Sequence, residues 1–244
     1  MISSNQMKYE FTPIGIIHSC FKEKFGIPRQ PGLIPEALAT LEIVPPFNRP
    51  EAFKALEGYS HIWINFVFHA ALREQWKPMV RPPRLGGNQR VGVFASRSPF
   101  RPNPIGLSVV RLNEVKCNDK GVELHLSGID LLDGTPVLDI KPYLPYTDAI
   151  PDAHSGYAPG PPGQSIALSY SNQAEAWLEN VAAKQADHIR RLLRQIFEND
   201  PRPAYLRADS AERKFGMTLY DFNVSWTVEN NQVNITEIKH LSAP

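Results

Sequence analysis

An antiparallel β-barrel carrying a smaller α+β unit is the fold class this sequence predicts, on three observations. Short runs of alternating apolar and polar residues recur from Phe11 to Ile140, with no helix of useful length between them. Twenty-three prolines among 244 residues cut the chain into turns and short extended pieces. After a proline- and glycine-rich stretch the apolar spacing turns helical, then returns to alternation. The expected division is a single-sheet barrel at 8–149, a linker at 150–165 and an α+β domain at 166–244.

Each element follows from its residues. Phe11 to Ser19 reads as the first strand. Gly26, Pro28, Pro31 and Gly32 then impose turns and leave Arg29 and Gln30 on a loop. Ala39 to Val44 is the second strand, and Pro50 to Leu56 a short helix with Asn48 placed to cap it. Tyr59 to His69 is the clearest strand: Ile62, Ile64, Phe66 and Phe68 share one face, and His61, Trp63, Asn65 and His69 the other. Val91 to Ala95, Leu107 to Val115, Val122 to Gly128 and Val137 to Ile140 continue the series, with a turn at Asp133-Gly134.

Residues 150–164 hold four prolines and three glycines and read as the linker. Beyond them Ala174, Trp177, Leu178 and Val181 recur at helical spacing, as do Ile189, Leu192, Leu193, Ile196 and Phe197. Tyr220, Phe222, Val224, Trp226 and Val228 alternate as one strand, which Asn230-Asn231 turns into a last one.

Composition narrows the function. A net charge of +1 does not describe a globally basic nucleic-acid binder, so any such surface must be local. Two cysteines, Cys20 and Cys117, make no disulfide framework and no CxxC. With no signal peptide or long apolar run, the expected setting is a reducing cytoplasm, away from membranes. No GxGxxG, GxxxxGK[ST] or GxSxG occurs, so dinucleotide, P-loop and serine-hydrolase chemistry lose their usual signatures. His61 and His69 share a strand face, but eight extended residues hold them about 27 Å apart, too far to share an ion. No metal is expected.

The local charge lies between Arg81 and Arg111, which holds six arginines and no carboxylate. Pro82, Pro83, Pro99, Pro102 and Pro104 stiffen it and bar a regular helix. Arginines on a braced loop suit an anion or a planar polar group; a merely solvating loop is the plainer alternative. Four loop ends carry chemistry: Arg29-Gln30, Phe68-His69, Arg97 to Asn103, and Asp130 to Thr135. They offer a flat surface, carboxylate acceptors and a bidentate donor, a set that suits a zwitterionic nucleoside. The aspartates alone also fit simple Asx-turns.

The runs KEKFGIPRQPGL, YSHIWINFVFH, RPPRLGG with GVFASRSPFRPNPIGLS, DLLDGTPVLDIKPYLPY, DPRPAY and LYDFNVSW resemble the TsaA-like, or TrmO, family of tRNA methyltransferases, from Phe11 to Trp226. The resemblance implies an antiparallel barrel that binds S-adenosyl-L-methionine without a Rossmann fold. It implies N6-methylation of threonylcarbamoyl-adenosine beside the anticodon. Carried over by motif, the cofactor residues are Arg29, Gln30, Pro31, Phe68, His69, Arg97, Leu107, Asp130, Leu131, Leu132 and Asp133. Ser96, Pro99 and the stretch Tyr146-Thr147-Asp148 depart mildly from the pattern.

Methyl transfer from a sulfonium to nitrogen is an in-line displacement in which the protein chiefly aligns the reactants. A nitrogen between a purine and a carbamoyl carbonyl loses its proton readily, so positioning suffices without a strong base. Arg101, Asn103, Asp139, Lys141 and Tyr143 are the expected substrate-positioning residues, although Asp139 and Lys141 equally suit an exposed ion pair. Arg81, Arg84 and Arg90 are expected to contact tRNA phosphates. A homodimer is expected, partly from the family and partly because one barrel's loop ends offer little surface for a folded RNA. The alternative function is a non-catalytic RNA-binding barrel, which would not need the cofactor.

Overall fold

Strict alternation builds the barrel. In the run His61–Val67 every second residue, Ile62, Ile64 and Phe66, is buried, while the residues between them are not. The computed structural model describes residues 8–119, 121–161, 167–202, 213–229 and 232–241. Strands β1 (Gly15–Ser19), β2 (Leu38–Ile43), β3 (His61–Val67), β4 (Met79–Val80), β5 (Val91–Gly92), β6 (Ile105–Asn118), β7 (Gly121–Ser127) and β8 (Thr135–Pro142) precede a helical turn, α1 (Pro145–Asp148). Six of them close into a barrel in the order β1-β2-β7-β6-β3-β8, antiparallel throughout. Closure leaves no free edge. Ile17, Leu41, Ile62, Ile64, Val110, Leu124, Leu126 and Val137 fill the interior.

One close approach sets the barrel's functional end. Gly106 of β6 pairs with Phe66 of β3, and a Cβ at Gly106 would lie 2.1 Å from Phe66 Cζ. Only a glycine lets the ring cross there. Phe66 in turn meets Phe68 edge-to-face at 5.0 Å.

Several sequence expectations are corrected. The first strand starts at Gly15 because Phe11 remains exposed and Pro13 has no N–H to pair. Residues 50–56 form tight 3-10 turns at Pro50–Phe53 and Leu56–Gly58, and the residue preceding the first is Arg49, with no side-chain cap. Asn48 instead lies beneath Gly121. The expected strand at 91–95 is only two residues, paired with β4, before a 3-10 turn at Val93–Ala95. Phe94 is 71% exposed, so alternation there had no second face to bury. The arginine segment therefore belongs to a small hairpin of Met79–Val80 with Val91–Gly92 and carries two tight turns, one ending at Gly86 with φ 67.

The C-terminal unit holds β9 (Ala167–Tyr170), α2 (Asn172–Glu179), α3 (Ala183–Glu198), β10 (Lys214–Leu219), β11 (Phe222–Glu229) and β12 (Gln232–His240). Its sheet runs β10-β11-β12-β9, with β9 parallel to β12. Ser171 caps α2, its Oγ accepting from the N–H of Ala174 at 3.2 Å. Ile189, Leu192, Leu193, Ile196 and Phe197 form the buried stripe of α3. The alternating run at 219–228 proves to be a hairpin rather than one strand, turning at Tyr220-Asp221 with Tyr220 at φ 50. Tertiary bonds hold Tyr220 in that left-handed conformation: its N–H donates to Cys20 O at 2.8 Å and its hydroxyl meets His188 Nε2 at 3.1 Å. The turn expected at Asn230-Asn231, the second half of the DPRPAY run and positions 162–165 lie outside the described residues.

The connection from β1 to β2, residues 20–37, joins the two units. Phe25 stacks on the fully buried Trp226 at 5.7 Å, and Phe21 bridges to Leu219. Glu36 accepts from Arg191 at 2.9 Å and meets His188 at 3.0 Å, and its N–H donates to Gln195 at 2.9 Å. The loop that carries Arg29 and Gln30 is thus held from behind by the C-terminal unit.

Candidate active site

Where β3 ends and β6 begins, the barrel opens into a cavity of about 550 Å³. Phe68 stops the β3 ladder by donating its N–H to Pro104 O at 2.8 Å, and the chain turns through His69–Ala71. Three loops complete the walls: the β1–β2 connection at Lys24–Gln30, the arginine segment at Ser96–Arg101, and the β7–β8 connection at Asp130–Leu132. Side chains tie these loops together. Arg97 Nη1 donates to Gln30 Oε1 at 2.5 Å, and the Lys24 ammonium donates to Ala70 O. Ser19 Oγ donates to Leu131 O at 2.8 Å, and Thr135 Oγ1 to Leu132 O at 2.6 Å.

Asp130 is the chemical focus. Its Oδ1 accepts from Ser108 Oγ at 2.7 Å. Burial pushes its carboxyl up from 3.8 to about 6, although the Ser108 bond, its own backbone and the Arg97 charge all pull the other way. A carboxyl held near neutrality at a cavity wall gains from a cation or from hydroxyl donors placed against it.

Nine of the expected cofactor residues meet here: Arg29, Gln30, Phe68, His69, Arg97, Leu107, Asp130, Leu131 and Leu132. Pro31 and Asp133 stand outside the lining. The Asp133 carboxylate is already engaged, accepting from the Ser19 N–H at 2.9 Å and from the Lys22 ammonium at 2.8 Å. Of the substrate-positioning set only Arg101 reaches the wall. Arg101 Nη1 donates to Ser96 O at 2.8 Å, which fixes it within its loop. Asn103 is exposed and lies outside the lining. Asp139 and Lys141 pair with each other at 2.9 Å on the half-exposed outer wall, beside Trp63 and Asn65 of β3. Tyr143 packs 5.9 Å from Trp63, on the same outer wall. Arg81, Arg84 and Arg90 are exposed and away from the cavity, with Arg84 donating to Gly160 O.

Sequence reasoning missed Lys24, Gly106 and Ser108 among the wall residues, while Thr135, read only as the end of a loop, also lines the wall. Ser108 carried a signal: Gly106, Ser108, Val110 and Leu112 form the buried face of β6, and a hydroxyl among them requires a partner. The arrangement offers a flat aromatic surface, apolar leucines, a buried carboxyl and guanidinium donors. That set suits a ligand with a planar ring at one end and a zwitterion at the other.

Comparison with known proteins agrees. Residues 16–149 match the model of the tRNA-methyltransferase O N-terminal domain, and residues 163–241 that of the TrmO C-terminal domain. The chain is similar to the tRNA (adenine(37)-N6)-methyltransferase of Escherichia coli, 47% identical over 90% of this chain and 93% of the relative. It is 50% identical to a putative S-adenosylmethionine-dependent methyltransferase, RcsF, of Pseudomonas aeruginosa, over 90% of this chain and 93% of that one. Its fold is similar to the crystal structure of TrmO from Pseudomonas aeruginosa, with a TM-score of 0.77 and 42% identity over 96% of this chain and 99% of the other.

Proposed function

The chain belongs to the TrmO family of tRNA methyltransferases, and from that premise we propose that it methylates N6 of threonylcarbamoyl-adenosine beside the anticodon. At the coarser level it is an S-adenosylmethionine-dependent methyltransferase acting on adenine N6 in tRNA. The observation that carries the proposal is the cavity at the barrel's open end, with its aromatic rim and the half-buried Asp130, whose carboxyl burial pushes up to about 6.

The residues fit the cofactor. Phe68 and His69 offer a surface for the adenine, and Leu107, Leu131 and Leu132 an apolar wall. Asp130 and Arg97 offer partners for the ammonium and carboxylate of the amino-acid end. The bound cofactor supplies an electrophilic methyl group. The protein's part is to hold the acceptor nitrogen in line with it and to exclude water, with Arg101 fixed at the wall for that purpose. Asp133 supports the walls from behind, through the Ser19 N–H and the Lys22 ammonium.

The barrel, residues 8–149, is the catalytic domain in this proposal. Residues 166–244, joined through 150–165, brace the β1–β2 connection and extend the RNA surface. Arg81, Arg84 and Arg90 meet tRNA phosphates. The active form in this proposal is a cytoplasmic homodimer, so that two subunits together offer the surface that a folded RNA needs. Asp139, Lys141 and Tyr143 then serve RNA contact on the outer wall rather than the cavity itself.

Nucleoside mass spectrometry of tRNA from cells lacking the protein tests the proposal. N6-methyl-threonylcarbamoyl-adenosine disappears from those cells and returns with the wild-type gene. Its persistence in their absence would overturn the reading, as would a loss of some other methylated nucleoside instead.

A further inference from the structure

A second crevice, of about 220 Å³, opens beside the cofactor cavity and is walled by Arg73, Glu74, Trp76, Phe100 and Arg101. Ala71, Pro99 and Arg101 border both spaces, so a group in the crevice stands next to whatever fills the cavity. Its volume is roughly that of seven waters, the scale of an amino-acid-sized substituent rather than a folded RNA element. The Arg73 guanidinium lies 4.3 Å over the Phe100 ring, and Lys77 Nζ lies 5.2 Å from the same ring. Stacking covers a face of the guanidinium and leaves its edge donors available. Among the described residues those donors take no hydrogen-bond or ion-pair partner. Arg101 is different, with Nη1 held by Ser96 O at 2.8 Å and Val93 O at 3.5 Å. Arg101 is thus a fixed wall, and Arg73 is the free fork.

We infer that this crevice takes the carboxylate-bearing substituent on N6 of the acceptor adenine, with Arg73 pairing its carboxylate, and that it thereby selects an already modified base. The inference rests on the reading of the acceptor given above. A guanidinium edge matches a carboxylate with two parallel N–H bonds. Trp76 and Phe100 give the substituent's carbon atoms an apolar flank. Glu74 on the same rim decides the ligand's charge: it disfavours the second negative charge of a phosphate monoester, and it accepts from an amide N–H or a hydroxyl. The chemistry recognised is therefore one carboxylate with neighbouring donors.

Steady-state kinetics on two tRNAs test this. One carries threonylcarbamoyl-adenosine, and the other carries its methyl ester, which lacks the negative charge. Wild-type protein discriminates in kcat/KM by about tenfold to a hundredfold, the range for one charged hydrogen-bond pair. Arg73→Gln loses that factor on the acid, mainly in KM, and gains nothing on the ester; Arg73→Lys recovers part of it. Because Arg73 is exposed, the variant keeps its fold, and unchanged calorimetric affinity for S-adenosylhomocysteine confirms it. If the wild type discriminates and Arg73→Gln discriminates equally, the crevice assignment is wrong. If, on a control tRNA that carries unmodified adenosine, the wild type is as active as on either of those two, the acceptor reading itself fails and the inference with it.

Discussion

Replacing Asp130 by Asn separates what the carboxyl costs the fold from what it gives the ligand. Burial favours the neutral form, so the folded protein holds the proton up to about pH 6 while the unfolded chain releases it near 3.8. Between those values the folded state binds more protons, and stability falls as pH rises. The cost is absent below about pH 4, grows through 6 and is constant above. At about 1.4 kcal/mol per pH unit, the distance from 3.8 to about 6 corresponds to about 3 kcal/mol. The open cavity edge makes that an upper bound. Asp130→Asn keeps the shape and removes the charge, so the cofactor-free variant melts higher at pH 8 by up to about 6–12 °C, and this gain vanishes near pH 4. S-adenosylhomocysteine affinity falls in the opposite sense, by about tenfold to a hundredfold at pH 8. Thermal scans across pH and calorimetry measure both. A gain over wild type that is no larger at pH 8 than at pH 4, or unchanged ligand binding, would refute the account of Asp130.

The other predictions concern packing and charge. Gly106→Ala drives a methyl into Phe66 and destabilises by about 1–3 kcal/mol, seen as a lower melting temperature with weakened cofactor binding. Asp133→Ala frees the Ser19 N–H and Lys22 and lowers stability by about 1–3 kcal/mol; the cofactor Kd of the remaining folded protein, by calorimetry, stays at the wild-type value. Arg81→Gln and Arg90→Gln each reduce the slope of log affinity for tRNA against log salt by about one and leave cofactor binding unchanged. Light scattering gives the active species a mass near twice the 27.4 kDa of one chain; full activity in a single-chain species removes the dimer.

How much of this was legible in the sequence depended on whether local pattern or tertiary contact decided each residue. The barrel was legible because β3, β6, β7 and β8 each bury one face, so alternation reports directly on them. β9 was not: four residues give too short a run, and its pairing is parallel to β12, far along the chain. The turn at Tyr220 lacked a glycine because Cys20 and His188, distant in sequence, hold its backbone. Arg97, Phe68 and Asp130 were readable as loop-end chemistry and converge in the cavity. Asp133 and the pair Asp139–Lys141 looked equally suitable, and only the fold shows that partners elsewhere engage them. Arg73, Trp76 and Phe100 gave no sequence signal, since their relation exists only once the arginine segment folds back over residues 71–77.

The central claim is that the cofactor sits in the cavity between the β1–β2 connection, the arginine segment and Asp130. A crystal structure of the protein with S-adenosylhomocysteine tests it most directly. The account predicts density in that cavity, with the adenine against Phe68-His69 and the amino-acid end within hydrogen-bonding distance of Asp130 or Arg97. Ligand bound anywhere else by protein that methylates tRNA would contradict it.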